Sequence, residues 1–319
     1  MDYLIGDIGG TNCRLATWNT RTHAIENQRV YPTTQFNDLA AVIPHFKAEI
    51  GVPGFDRGCV AIANPVDGDH ISMTNTSWEF SIQDTRERLH LERLALINDW
   101  ESIGYALTSL TEGGLKPLIR QCESTALGMS PVVLSGVGTG LGGALVVHGP
   151  QGQPIPIAGE SGHMSYAPTE DIDIEIYRYL RMRFGHVSFE RILSGPGIEN
   201  IKDALESITQ TSSQIKTTPG IVEAARTKSD RLCEETLQIF TRNLGSFVGN
   251  LALTANAKGG IYLGGGVLQK IGDGLCIASL SKGLTAKGRL GSALENIPVF
   301  LITDENAALK GCINYLAHS

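Results

Sequence analysis

The sequence lacks several features that mark other classes of protein. Its 319 residues contain no cluster of lysine and arginine, and the formal net charge is -7. A surface of that sign does not attract nucleic acid or anionic lipid, so we expect no nucleic-acid partner and no membrane partner. No apolar run reaches the roughly 20 residues of a membrane span, and the N-terminus shows no secretory signal. We therefore expect a soluble protein.

Cysteine is scarce and scattered along the chain. The six cysteines include no CxxC pair, so neither a zinc site nor a disulfide framework is indicated. This use of cysteine is typical of a reducing compartment, and we expect a cytoplasmic protein.

Glycine, by contrast, is abundant and occurs in short runs between apolar segments. There are 37 glycines against 13 prolines. The run Gly6-Asp7-Ile8-Gly9-Gly10-Thr11-Asn12 lies between strand-like residues 3–5 and 13–18, and Gly138-Thr139-Gly140 lies between apolar residues 132–134 and 144–147. Both patterns predict a hairpin with a glycine turn. A third run, 264–266, precedes Val267 and is more typical of a helix start.

Glycine turns of this kind can bind phosphate, because the missing Cβ atoms permit positive φ and let successive backbone N–H groups approach one anion. Neither hairpin is a Walker A loop, which needs Gly-Lys-Ser/Thr, or a dinucleotide fingerprint, which needs a helix directly after the glycines. A tight structural turn explains either run when it is taken alone. Two such hairpins together favour a phosphate site.

The remaining pattern predicts an α/β protein. Helical spacing covers residues 37–50, 171–184 and 230–253, and buried strands at 59–63 and 94–97 end at Asn64 and at Asn98-Asp99. A glycine, serine and threonine stretch at 108–114 is the predicted boundary between domains. We expect a small domain of residues 1–110 plus about 300–319, and a large domain of residues 111–299.

The hairpins and the later glycine run resemble the phosphate-1, phosphate-2 and adenosine elements shared by actin, Hsp70 and sugar kinases. Residues 96–99 (Leu-Ile-Asn-Asp), 159–163 (Gly-Glu-Ser-Gly-His) and 188–197 also resemble, in order, signatures of the bacterial glucokinase family, as do residues 61–65 and 73–78. The resemblance implies a two-domain actin-like ATPase (ribonuclease H-like) fold with a cleft between the domains. It also implies ATP-dependent phosphorylation of glucose to glucose 6-phosphate, the first step of glycolysis, by a cytoplasmic homodimer.

The same resemblance assigns the site residues. Asp99 is the expected catalytic base. A hexose presents many hydroxyls, and carboxylates and amides that accept paired hydrogen bonds can select it; the implied glucose ligands are Asn98, Asp99, Glu160, His163 and Glu190. Asp7 is expected to hold Mg²⁺ through water. The residues implied in ATP binding are Gly6, Asp7, Ile8, Gly9, Gly10, Thr11, Asn12, Gly138, Thr139, Gly140, Gly265 and Gly266.

Other interpretations stay open at this point. Asn98 and Asp99 could cap the next helix, His163 could be structural, and Glu190 could be a solvated helix residue. The chain could be a kinase of another hexose or an actin-like or Hsp70-like ATPase; a catalytically silent sugar sensor should have lost Asp99. Residues 164–193 contain no cysteine, which argues against the zinc motif of the related ROK sugar kinases. Ser161 replaces a glycine of the glucokinase pattern.

Overall fold

The computed structural model describes residues 2–73, 76–110, 112–119 and 129–318. Two residues of the 73–78 motif, Thr74 and Asn75, lie outside the described residues, and so does Cys122. The chain separates into two compact units. The first is Met1–Leu110, Pro154–Pro156 and Asp304–Ser319, and the second is Thr111–Gln153 and Ile157–Thr303.

The regular elements alternate between strands and helices, as the sequence predicted for an α/β fold. The strands are β1 (Asp2–Ile8), β2 (Asn12–Asn19), β3 (Ala24–Pro32), β4 (Arg57–Ile62), β5 (His70–Ser72), β6 (Glu79–Ser81), β7 (Arg93–Asn98), β8 (Leu115–Ile119), β9 (Val132–Val137), β10 (Leu141–His148), β11 (Pro154–Ala158), β12 (Ile261–Gly264) and β13 (Val299–Ile302). The helices are α1 (Leu39–Ile50), α2 (Ile82–Arg88), α3 (Asp99–Ala106), α4 (Asp171–Phe184), α5 (Gly195–Thr209), α6 (Thr218–Arg226), α7 (Arg231–Ala255), α8 (Gly266–Ile271), α9 (Ile277–Thr285), α10 (Gly291–Leu294) and α11 (Ala307–His318).

The first unit is built on a mixed sheet with strand order β3-β2-β1-β4-β7. Strand β1 is antiparallel to β2 and parallel to β4, which is parallel to β7. Side chains alternate along β1, so Leu4 joins a buried cluster with Phe46 of α1, while Ile5 joins a second cluster with Leu309 of α11. Helices therefore cover both faces of this sheet.

The second unit repeats this strand order. Within it the sheet runs β10-β9-β12-β13-β8; β9 is antiparallel to β10 and parallel to β12, and β12 is parallel to β13. The order β10-β9-β12-β13 matches β2-β1-β4-β7 of the first unit. The strand-glycine-strand pattern that occurs twice in the sequence thus marks two copies of one sheet topology.

Helix α7 forms the centre of the core of the second unit. Its stripe of Phe240, Leu244 and Phe247 is fully buried, as its helical spacing predicted. None of the helices in the described part of the chain combines the length and apolar character needed to cross a membrane.

A buried polar cluster joins the N-terminus of α4 to α7. Asp173 has no exposed surface; its Oδ1 accepts hydrogen bonds from Arg242 Nη2 at 2.6 Å and Asn243 Nδ2 at 3.1 Å. Its Oδ2 accepts from the backbone N–H groups of Thr169 at 3.2 Å and Glu170 at 3.1 Å. Because a buried charge needs partners, this set of bonds fixes how the two helices meet.

Candidate active site

The first glycine run forms the predicted turn between β1 and β2. The register pairs Asp7 with Arg14 and Ile8 with Cys13, which leaves residues 9–11 as the turn. Gly9 N donates to Asn12 O at 3.0 Å within it. The turn therefore begins directly after Ile8, which forms the last pair of the hairpin ladder with Cys13.

Thr33, which the sequence did not single out, holds this turn from outside. Its Oγ1 donates to Gly10 O at 2.9 Å, and its backbone N–H donates to Thr11 O at 3.0 Å. Trp78 Nε1 in turn donates to Thr33 O at 3.1 Å and to Phe36 O at 2.8 Å. No sequence signal marks Thr33, because its partner Gly10 is 23 positions away. Trp78 was noted only as part of the 73–78 motif.

Asp7 is the carboxylate of this turn. It is half-buried near the end of β1, and burial raises its pKa, while the opposite charge of Arg14 lowers it. The described residues contain no group of three or more His, Cys, Asp or Glu side chains that could hold a metal ion. Mg²⁺ commonly uses one or two protein carboxylates together with water and phosphate oxygens. A lone carboxylate whose charge is poorly solvated fits that role.

The ends of three strands place Asp7 and Asn98 on one edge of the first sheet. Ile8 pairs with Ile62, and Ile62 pairs with Asn98, in parallel register. Two strand spacings of about 4.8 Å separate Ile8 from Asn98. Ala63 N also donates to Ile8 O at 2.9 Å. The predicted phosphate turn and the predicted Asn98-Asp99 pair thus lie on the same edge, at the carboxyl ends of the parallel strands.

Asn98 is the N-cap of α3, so the alternative that this pair caps a helix is correct. Its Oδ1 accepts from Trp100 N at 2.9 Å and Glu101 N at 3.3 Å, and its Nδ2 donates to Asn64 O at 3.3 Å. An amide nitrogen has two hydrogens to donate. The cap therefore leaves the Asn98 side chain able to donate one further hydrogen bond.

Asp99 is the first residue of α3. Its Oδ1 accepts from Trp100 N at 2.9 Å. The cap thus fixes the start of α3 and, with it, the backbone from which the Asp99 carboxylate extends.

The second glycine turn lies between β9 and β10. Gly138 N donates to Gly140 O at 2.9 Å, and Gly195 N at the start of α5 donates to Gly138 O at 2.9 Å. The glycines of the two hairpin turns are not among the residues of positive φ in the described chain. Each turn is closed by the backbone bonds of its own hairpin, which need no left-handed residue.

The third glycine run does contain a left-handed residue. Gly265 has φ 92 and is the N-cap of α8, which confirms the predicted helix start. A Cβ at this position would overlap the carbonyl oxygen of Val137, the last residue of β9. Glycine is therefore needed at 265, and it brings the start of α8 against the second turn.

The two predicted sugar segments of the second unit lie side by side. Phe189 N donates to Met164 O at 3.0 Å, and Tyr166 N donates to Val187 O at 2.9 Å. Residues 163–166 therefore run next to residues 187–190. The structure brings the Glu160 and His163 motif to the Glu190 motif.

Glu160 and His163 belong to one 3₁₀ turn. His163 N donates to Glu160 O at 3.0 Å, and His163 Nε2 is 3.9 Å from Glu160 Oε2. Both side chains are 61% exposed, so His163 is not a core residue. Ser161 adopts no positive φ, which means that serine suits this backbone as well as glycine would.

Leu141, the first residue after the second glycine turn, contacts both sugar segments. Its backbone N–H donates to Glu190 Oε2 at 3.0 Å. Its carbonyl oxygen lies where a Cβ of Gly162 would be, so only glycine fits at 162. Glu190 is half-buried and is not the solvated helix residue of the alternative interpretation. In this unit the predicted sugar residues and the predicted phosphate turn are thus built around one backbone position.

The fold places the protein among the α/β sugar kinases with mixed sheets. A solved glucokinase from an Antarctic psychrotroph superposes with a TM-score of 0.87 at 29% identity, covering 100% of this chain and 99% of that one. A ROK family glucokinase from Streptomyces griseus, solved with glucose and AMPPNP, superposes with a TM-score of 0.67 at 18% identity, covering 100% of both chains. The second likeness concerns the fold alone.

A sequence model of the glucokinase family matches residues 4–319. The chain belongs to the glucokinase family, as the resemblance of its motifs predicted.

Curated relatives agree with this family. A glucokinase from Chromobacterium violaceum is 37% identical over 316 residues, which are 98% of this chain and 89% of that protein. A protein described as bifunctional protein glk from Paraburkholderia xenovorans is 35% identical over 316 residues. The chain spans about half of the length, 48%, of that relative and of several similar proteins from Burkholderia.

Proposed function

We propose that this protein transfers the γ-phosphoryl group of ATP to the 6-hydroxyl of glucose. The 6-oxygen forms a bond to the γ-phosphorus while the bond from that phosphorus to the β,γ-bridging oxygen breaks. The products are glucose 6-phosphate and ADP, and the hydroxyl proton passes to a base. The observation that carries the proposal is the contact of Leu141 with both Glu190 and Gly162, since it joins the proposed sugar segments to the proposed phosphate turn.

We assign the base to Asp99. An aspartate is a weak base toward an alcohol because its ordinary pKa is only about 3.9. In a loose phosphoryl-transfer transition state the proton can leave late, so the carboxylate mainly orients the hydroxyl and accepts the proton as the new bond forms. The helix start that Asn98 caps supplies the fixed backbone that this orientation needs.

The sugar is proposed to bind Asn98, Glu160, His163 and Glu190. Asn98 has one amide hydrogen to donate beyond its bond to Asn64 O, and Glu160 and His163 are exposed. Glu190 uses Oε2 for Leu141, so its Oε1 is the oxygen we assign to a sugar hydroxyl. A poorer substrate would leave one or more of these groups without a hydrogen-bond partner, which gives such a site its selectivity.

The nucleotide is proposed to bind the glycine turns and the start of α8. The N–H groups of residues 10–12 and 139–140 are the proposed donors to phosphate oxygens, since Gly9 and Gly138 donate within their own turns. Gly265 and Gly266 are proposed to lie at the adenosine. Asp7 is proposed to hold Mg²⁺ through water. When bound, Mg²⁺ would offset negative charge on the phosphate oxygens.

The actin-like architecture, with a cleft between domains of residues 1–110 plus about 300–319 and 111–299, is part of this proposal. The repeated strand order in the two sheets supports it. We also propose a cytoplasmic homodimer, which light scattering on the purified protein and cell fractionation would test.

A coupled assay of ADP release with a panel of hexoses tests the function. We expect ADP release that depends on glucose and Mg²⁺. ADP release should be slower when mannose, fructose or glucosamine replaces glucose. A faster rate with one of those sugars would favour the alternative of another hexose kinase. Release that no hexose stimulates would refute the sugar-kinase proposal and favour the actin-like or Hsp70-like ATPase.

A further inference from the structure

Glu190 is joined to the second glycine turn by a contact that sugar binding alone does not require. Its Oε2 accepts the backbone N–H of Leu141 at 3.0 Å. The Glu190 backbone is held as well, because its carbonyl oxygen accepts from Ser194 Oγ at 2.9 Å. Glu190 is therefore held both at its backbone and at its carboxylate, which contacts the turn.

The turn is shaped to receive this carboxylate. A Cβ on Gly140 would lie 2.6 Å from Glu190 Oε2, well inside the contact distance of real side chains. Only glycine lets the carboxylate come that close to residue 140. Gly138 and Gly140 close the same turn with their own bond at 2.9 Å, so the carboxylate supports the turn at the residue where it rejoins β10.

We propose that Glu190 is a positioning residue for the second glycine turn, in addition to the sugar contact assigned to it above. A hydrogen bond to an ionised acceptor is about twice as strong as one between neutral groups. Such a bond on the first amide after the turn holds the N–H groups of residues 138–140 in a fixed direction. The link to ATP and sugar rests on the proposed function, but the support of the turn does not.

This arrangement couples the two ligands. One oxygen of Glu190 faces the turn, and the other is assigned to the sugar, so a bound sugar restricts the rotation that would release Leu141 N–H. Sugar therefore raises the affinity for nucleotide, and nucleotide raises the affinity for sugar by the same factor, because binding linkage is reciprocal. Glu160 and His163 show no hydrogen bond to this turn in the described structure, and their loss should leave that rigidity unchanged.

Hydrogen exchange of the ligand-free protein tests the positioning role directly. Glu190→Ala removes the acceptor of Leu141 N–H, and we expect exchange across residues 138–141 to become at least about tenfold faster, as for loss of a hydrogen bond to a charged group. Glu190→Gln keeps an acceptor oxygen and should restore most of the protection. Glu160→Ala is the matched control, since it removes a carboxylate of the same proposed sugar site. Unchanged exchange in Glu190→Ala would overturn the proposal.

Gly140→Ala is a second way to break the hydrogen bond between Glu190 and the Leu141 N–H. Its methyl group displaces the carboxylate without removing it, so it should speed exchange at Leu141 as Glu190→Ala does. In the double variant the two effects should not add, because both break one contact. Additive effects would overturn the proposal. Thermal unfolding and circular dichroism of each variant would show whether it is folded.

Calorimetry with AMPPNP and Mg²⁺, in the absence of sugar, extends the test to the nucleotide. We expect Glu190→Ala to weaken AMPPNP binding by threefold or more and Glu160→Ala to leave it unchanged, because a residue that only contacts sugar has no effect when sugar is absent. If the wild-type protein binds no AMPPNP while Glu190→Ala still speeds exchange at Leu141, the positioning role stands and the proposed function fails. If AMPPNP binds wild type and Glu190→Ala equally, the coupling is refuted.

Discussion

At the scale of single residues, Asp99 occupies a position that gives its carboxylate a fixed backbone. The capped start of α3 carries it, and the Trp100 N–H contacts it at 2.9 Å. We predict that Asp99→Asn lowers turnover by about 10²–10⁴-fold, the usual contribution of a general base, and leaves glucose binding largely intact. Steady-state kinetics and calorimetry with glucose would measure both. Asp84→Ala, an aspartate in the first turn of α2, is the matched control and should keep wild-type turnover.

Asp7 should show a conflict between stability and function. Burial raises its pKa in the folded protein, so the folded state binds its proton more tightly than the unfolded chain does. Its ionisation therefore destabilises the fold as pH rises from the ordinary value of 3.8 through the raised value. We predict that Asp7→Asn unfolds at a higher temperature than wild type at neutral pH, and that this difference shrinks as pH falls toward 3.8.

The same variant should lose Mg²⁺-dependent turnover, because an amide cannot supply the carboxylate that the metal needs. Thermal unfolding across pH and ADP release at neutral pH would measure the two effects separately. Normal activity of Asp7→Asn would contradict the proposed role of Asp7 in holding Mg²⁺.

At the scale of elements, the sequence predicted those parts whose signal is local. The hairpins at residues 3–18 and 132–147 and the helix at 37–50 were predicted from periodicity and glycine, and the structure confirms them. Asp38 caps α1, because its Oδ1 accepts from Ala41 N at 2.7 Å. These features depend on neighbours within a few residues.

Features that depend on distant contacts were not predicted. No sequence signal selects Thr33, whose hydroxyl donates to Gly10 O across 23 positions. It also showed nothing of the backbone pairing between residues 163–166 and 187–190, because two short loop segments carry no strand pattern. The candidate sugar residues were found by resemblance; the contacts of Leu141 with Glu190 and Gly162 are a property of the folded chain only.

Thr33 supplies a prediction at this scale. Thr33→Val keeps the shape of the side chain but removes the donor to Gly10 O, which leaves the first glycine turn held by one bond fewer. We expect KM for ATP to rise by threefold or more while KM for glucose stays near the wild-type value. Thr33→Ser retains the hydroxyl and should behave like wild type. Equal effects of both variants would mean that the hydroxyl does not hold the turn.

The buried cluster between α4 and α7 makes a prediction about stability. Asp173→Ala would remove the 2.6 Å ion pair of Arg242, which is 11% exposed, and leave it the longer 3.4 Å contact with Glu170. Removal of one member of a buried pair costs about 3–5 kcal/mol, and we expect a loss of that size in the free energy of unfolding. Urea denaturation would measure it. Asp171→Ala, an exposed aspartate in the first turn of the same helix, is the control and should cost less than about 1 kcal/mol.

At the scale of the whole molecule, two sheets of one strand order each carry a glycine turn and a set of candidate sugar residues. The first unit has Asp7, Asn98 and Asp99 on one sheet edge, and the second has Glu160, His163 and Glu190 around Leu141. In the proposed function, these two sets supply the groups for phosphoryl transfer to a sugar hydroxyl.

The proposed function requires transfer of the γ-phosphoryl group to sugar, as distinct from hydrolysis of ATP. Glucose 6-phosphate and ADP should be measured together in one reaction of the wild-type protein with glucose, ATP and Mg²⁺. We predict one molecule of glucose 6-phosphate for each ADP, with both products lost in Asp99→Asn. ADP formed without an equal amount of glucose 6-phosphate would contradict the account.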